Sequence, residues 1–160
     1  MIAPARIVFC HGLESGPRGR KTEALRAAGF TVEAPDCRGA DLATRADQIV
    51  EVLRADPRPA VVVGSSYGGA AALLAAARAP GRVAELVLCA PALAALGPIP
   101  PPPVPTTILH GTRDDVCPIE ASRALARHDG VDLVEVDDDH RLAGSLDRLV
   151  DVVRRAAARA

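Results

Sequence analysis

Three short stretches of this sequence hold side chains that could perform covalent chemistry together. Gly64-Ser65-Ser66-Tyr67-Gly68 has the spacing G-x-S-x-G. In that pattern a serine can stand on a tight turn between a strand and a helix, with glycines giving room for the crossing backbone. A serine hydroxyl is a weak nucleophile and needs an imidazole to take its proton. The imidazole in turn needs a carboxylate to fix its tautomer and orientation. Asp114 and Asp115, in Leu109-His110-Gly111-Thr112-Arg113-Asp114-Asp115-Val116-Cys117-Pro118, both qualify chemically, although an Asp pair in a loop is more commonly a turn or a cap. His140, after Asp137-Asp138-Asp139, lies downstream of both other stretches on a strand-exit loop. His128 falls near a helix end, where positive charge is favourable. His11 and His110 each precede a glycine at a strand end and read as loop-orienting residues. The order Ser66…Asp114…His140 makes one joint signal from three modest ones. An oxyanion formed at Ser66 needs two backbone N–H donors: Tyr67, next to the serine, supplies one, and Leu13, after the first strand, supplies the other. No metal or cofactor is implied. Consecutive carboxylates cannot all converge on one ion, and Cys10, Cys37, Cys89 and Cys117 are isolated, without metal-ligand spacing.

For these groups to meet, the strands before them must end on one side of a sheet. Arg6–Cys10, Thr31–Ala34, Ala60–Gly64, Glu85–Cys89, Thr106–His110 and Asp132–Val136 read as strands. Several are near-continuous apolar runs, as parallel strands buried on both faces require. Helical segments alternate with them: Lys21–Ala28, Asp41–Ala55 with Asp41 as N-cap, Tyr67–Ala79, Ile119–His128 and Ser145–Arg159. This alternation predicts an α/β fold with a mainly parallel sheet. The polar, Gly-rich loop His11–Arg20 and the segment Ala92–Pro103 are expected at the site entrance. The prolines between Pro98 and Pro105 read foremost as a stiff spacer and secondarily as a rim over the site. Arg18 and Arg20 read as solvated loop charges, with attraction of an anionic substrate as the less favoured alternative.

The 160 residues carry a net charge of −1, with 49% hydrophobic and 24% charged. One domain, residues 1–160, is expected. Balanced acids and bases argue against a nucleic-acid surface or a polybasic membrane patch. Two Phe, one Tyr and no Trp leave an aliphatic core and almost nothing for a stacking platform. The uncharged stretch from Ala60 to Ala77 approaches the length of a membrane span. It is broken by the Gly-Ser turn, however, and reads as strand, turn and buried helix. The opening MIAPARIVFC lacks a basic region followed by a long apolar stretch. With isolated cysteines, this leads to an expectation of reduced thiols in the cytoplasm.

Over nearly its whole length the sequence resembles the α/β-hydrolase superfamily, particularly small bacterial esterases of the YqiA kind and lidless thioesterase-like hydrolases. The likeness rests on HGLESGPRGRKTEAL, the G-x-S-x-G turn, HGTRDDVCP and DDDHRL. It implies a minimal three-layer fold with strand order 2-1-3-4-5-6, Pro91–Pro105 standing where a lid usually inserts. His11, Gly12 and Leu13 would form the oxyanion loop. The family's HGxxDxxVP pattern selects Asp114 over Asp115, and its DHR pattern selects His140. Cys117 replaces the usual Val before Pro118, a change expected to affect packing and not chemistry. The implied activity is cleavage of an ester or thioester of a small to medium acyl group by a serine hydrolase, with a small-molecule substrate. The alternatives are a non-catalytic binding protein of the same fold, or acyl transfer on the same site.

Overall fold

The computed structural model describes residues 4–160. Six strands form one parallel sheet in the order β2-β1-β3-β4-β5-β6, as expected. They are β1 (Arg6–Cys10), β2 (Val32–Glu33), β3 (Ala60–Ser65), β4 (Val83–Cys89), β5 (Thr106–Gly111) and β6 (Val131–Val136). Five helices connect them: α1 (Arg20–Ala27), α2 (Leu42–Arg54), α3 (Tyr67–Arg78), α4 (Ile119–Leu125) and α5 (Leu146–Arg159). No lid interrupts this order. After β4 the chain makes only a short 3-10 turn, Leu93–Leu96, before the proline-rich connector.

The strand period of two divides the core. Val8, Cys10, Val62, Leu86 and Ile108 face α2, α3 and α4. Ile7, Phe9, Val61, Val63, Val87 and Leu109 face α5 and Leu25 of α1. The central strands are thus apolar on both faces, which their unbroken Val and Leu runs anticipate. Asp41 caps α2 by accepting from the Thr44 amide at 2.9 Å.

Element ends depart from expectation where local chemistry intervenes. β2 is only two residues long, because Ala34 leads into Pro35, which has no N–H for a ladder. α4 stops at Leu125, short of His128, because its last turn tightens into i to i−3 bonds from Arg127 to Ala124 and from His128 to Leu125. At the end of α5, Arg159 reaches back to Glu85 at 2.7 Å, and Arg154 lies 5.7 Å from the Phe30 ring centroid.

The sheet order changes direction at β1, which lies between β2 and β3. The crevice beyond the C-terminal ends of β1 and β3 is therefore the topological switch point, where α/β folds form ligand sites. Gly12, Leu13 and Ser66 lie there. Among the described residues, no helix is long and apolar enough to cross a membrane.

Candidate active site

Ser66 occupies the turn between β3 and α3 with φ 54° and ψ −117°, a conformation that L-residues adopt only under strain. The turn exists because glycines let backbones cross. A Cβ on Gly68 would lie 2.1 Å from the Cys10 carbonyl oxygen, and one on Gly64 would lie 2.6 Å from that of Gly68. The same close approach brings the end of β1 beside the serine, so that a Cβ added at Gly12 would lie 3.7 Å from that of Ser66.

His140 Nε2 is 3.0 Å from Ser66 Oγ, and its Nδ1 is 2.8 Å from Asp114 Oδ2. A carboxylate only accepts, so Nδ1 carries the proton and Nε2 is left to accept from the serine hydroxyl. The Asp114 side chain is fully buried, with three hydrogen-bond donors and a second imidazole around it. Its Oδ1 accepts the Val116 and Cys117 amides at 2.9 and 2.8 Å. Its Oδ2 also faces His110 Nε2 at 3.0 Å. Burial works to raise the Asp114 pKa, but the bonds from His140 and the two amides outweigh it and hold the carboxyl below its ordinary value. Asp115, the other chemical candidate, is exposed, and the carboxylate that His140 meets is that of Asp114.

His110 does more than orient a loop locally. It is buried between the Ser122 hydroxyl, 2.7 Å from Nδ1, and the Cys117 carbonyl, 2.8 Å from Nε2. It thereby ties the acid loop to α4. Its neighbour Gly111 is required by space, since a Cβ there would lie 2.3 Å from the Asp138 carbonyl oxygen.

The Leu13 and Tyr67 amides have no acceptor among the described residues. Both residues line a cleft of about 770 Å³ that includes Ser66. The cleft is walled by Leu13, Tyr67, Ala92, Val116 and Cys117. Leu13, 58% exposed, and Val116, 62% exposed, are the two exposed large hydrophobic residues among those described, and both face this cleft. The hydroxyl, the imidazole, the buried carboxylate and the two free amides make up the set that acyl transfer through a serine requires.

A profile of the alpha/beta hydrolase family matches residues 7–104. The chain belongs to the alpha/beta hydrolase family. A solved structure from Xanthomonas campestris pv. campestris, ascribed to the alpha/beta hydrolase superfamily, is 28% identical with a TM-score of 0.79. The match covers 94% of this chain and 99% of that one. Alpha/beta hydrolase domain-containing protein 10 from mouse superposes with a TM-score of 0.82 at 19% identity, covering 96% and 90% of the two chains. Est1E from Butyrivibrio proteoclasticus does so with a TM-score of 0.80 at 21% identity, covering 95% and 86%. The latter two share the fold. A search of the curated proteins finds no match.

Three further residues support this alpha/beta hydrolase site: Arg45 and Asp138, to which the motifs assigned no role, and His11, which was expected to orient its loop. Arg45 of α2 is 1% exposed. It donates to the carbonyls of His11 at 2.7 Å, Gly12 at 3.4 Å and Ala40 at 3.2 Å. It also stands 5.0 Å from the Tyr67 ring centroid. The guanidinium therefore props the loop bearing Leu13 and touches the residue after Ser66. The available signal was a charge at position 45 on the apolar stripe formed by Ala46, Ile49, Val50 and Leu53. Asp138 is the second support, a buried acid that accepts from the Asp139 and Gly144 amides and the Ser145 hydroxyl. It shapes the loop carrying His140, while its neighbour Asp137 pairs with Arg113. His11 is the third. Its Nδ1–H donates to the Gly12 carbonyl and its Nε2 accepts the Cys37 amide. Burial lowers its pKa, keeping the ring neutral.

Cys117, expected to affect packing, also lines the cleft. One expectation is corrected. Of the segment Ala92–Pro103, only Ala92 reaches the cleft, so the prolines act as a spacer and not as a rim. On the other side of the entrance, Glu14, Ser15, Gly16, Gly19 and Arg20 line it, whereas Pro17 and Arg18 do not.

Proposed function

We propose that this chain is a serine hydrolase that cleaves carboxylic esters or thioesters of small to medium aliphatic acyl groups. The observation that carries the reading is the unbroken chain of contacts from Asp114 through His140 to Ser66, ending in an open cleft.

Ser66 Oγ attacks the substrate carbonyl carbon as His140 Nε2 takes the hydroxyl proton. Asp114 stabilises the imidazolium that forms. Negative charge on the carbonyl oxygen is received by the Leu13 and Tyr67 amides and by the positive end of α3. When the intermediate collapses, the alcohol or thiol leaves with the proton held by His140, and the acyl group stays on Ser66. Water enters the open cleft, gives a proton to His140 and attacks the acyl carbon. Collapse then returns the proton to Ser66 and frees the acid.

The wall formed by Leu13, Val116 and Ala92 supports an aliphatic acyl group, with Phe9 and Tyr67 as the two aromatic residues lining the cleft. An open cleft with no lid supports hydrolysis over acyl transfer, because water reaches the acyl-enzyme. The test is Ser66→Ala against p-nitrophenyl and coenzyme A esters of graded chain length. A fall in kcat of roughly 10⁶ is expected if the three residues act as a unit. A fluorophosphonate probe should label Ser66 in the native chain. Undiminished hydrolysis by the variant, or no labelling, would overturn the assignment.

A further inference from the structure

The cleft mouth has an excess of cations that the acyl half of the substrate does not explain. Arg20 and Lys21, at the start of α1, and Arg141, next to His140, line it against one acid, Glu14. None of the three cations has a carboxylate partner among the described residues. Other arginines pair with acids, as Arg38 does with Asp36 and Arg123 with Glu135, and others such as Arg54 and Arg127 do not; what sets these three apart is that they line one cleft.

Two of these residues are also joined directly. Lys21 Nζ donates to the Arg141 carbonyl at 3.0 Å, across 120 residues of sequence, and clasps the start of α1 to the loop carrying His140. One N–H of the ammonium is used, and two remain. The N-cap of α1 is Gly19, which offers no side-chain acceptor to the first amides of the helix. Gly19 lines the same cleft. A smaller hollow of about 200 Å³ shares Val116, His140 and Arg141 with the cleft. That hollow also holds Asp115 and Asp139, so Arg141 has acids on that side, and Arg113 there is already paired with Asp137. In the cleft itself the three cations face Glu14 alone.

The wedge between α1 and Arg141 abuts His140, which must hand its proton to the leaving oxygen or sulfur. The half of the substrate lying beside it is the leaving half. We propose that the alcohol or thiol half of the substrate is anionic, bearing a carboxylate or phosphate seated among Arg20, Lys21 and Arg141. This rests on the hydrolase reading above and adds the chemical class of the leaving group.

The test compares matched esters by chromatography of the released phenol. Leaving-group charge is probed with 3-(butanoyloxy)phenylacetate, its methyl ester, and 3-(butanoyloxy)phenyl phosphate. Acyl-side charge is probed with phenyl hemiadipate and its methyl ester. At low ionic strength the anionic leaving groups should give kcat/KM about tenfold above the neutral one, mainly through KM. The ratio should shrink toward one at about 0.5 M salt and in the Arg20→Gln/Arg141→Gln variant. Whichever anion leads identifies the group. Equal rates for charged and neutral leaving groups overturn the proposal, as does a preference found only on the acyl side. If no ester turns over and Ser66 is not phosphonylated, the hydrolase reading fails separately. The anion site is then decided by calorimetry of 3-hydroxyphenylacetate against its methyl ester. Tighter binding of the anion, lost in the double variant, sustains the site; equal affinity removes it.

Discussion

Replacing Arg45 by Met tests whether a buried charge outside the reacting groups sets the geometry of the oxyanion loop. Met keeps much of the side-chain volume but removes the guanidinium. The His11 carbonyl then loses its 2.7 Å partner, while the bonds to Gly12 and Ala40, at 3.4 and 3.2 Å, are long enough to add little. A hydrogen bond from a charged group contributes about 1.5–3 kcal/mol. Removing a buried charge returns part of its desolvation cost. A net loss of about 2 kcal/mol follows, which lowers Tm by about 4–8 °C for a chain of this size. The effect on rate is separate. Loss of a whole oxyanion donor costs roughly 10²–10³ in kcat, and a loosened loop forfeits part of that, so kcat should fall about 10- to 100-fold. KM should stay within about threefold, because the Leu13 amide acts on charge that exists only in the transition state. Arg45→Lys, able to restore one bond to the His11 carbonyl, should recover part of both losses. The assay is steady-state hydrolysis of p-nitrophenyl butyrate beside thermal unfolding. An unchanged kcat with a lowered Tm would refute the reasoning, because the loop would then hold its position without the guanidinium.

Two further outcomes follow from the loops around the site. Hydrogen bonds from Ser145 and two amides hold the Asp138 carboxyl below its ordinary pKa despite burial, which pushes the other way. A folded-state value below the unfolded one gives stability that is complete above the usual carboxylate range, near about 3.9, and is lost as pH falls through the folded value. Asp138→Asn should therefore cost about 1–2 kcal/mol in urea unfolding at neutral pH, and the gap should close on acidification. A gap of constant size would assign the cost to geometry instead of charge. Among the thiols, burial pushes Cys10 up and raises Cys89 to about 11, and burial together with Asp114 raises Cys117. Iodoacetamide should thus react with native Cys117 at least about tenfold more slowly than with free cysteine. Turnover should nevertheless disappear in step with labelling, because the adduct fills the cleft over Ser66, and Cys117→Val should resist inactivation. Full activity after complete labelling would place the substrate elsewhere.

The sequence by itself determined what depends on local spacing. Unbroken apolar runs became the central strands, Asp41 became the N-cap of α2, and G-x-S-x-G became the turn that strains Ser66. These features are legible because periodicity and turn chemistry act within a few residues. Chemistry alone left Asp114 and Asp115 equivalent, and family resemblance was needed to prefer the first. In the fold, Asp114 is the one surrounded by two imidazoles and two amides. Only tertiary structure decided that Arg45 lies under the loop bearing Leu13, that Cys117 faces the cleft, that the prolines stand clear of it, and that Lys21 reaches Arg141. Each depends on how a helix or loop settles against the sheet, bringing together residues far apart in the chain. That placement is fixed by the packing of both cores at once, and no short window of sequence contains it.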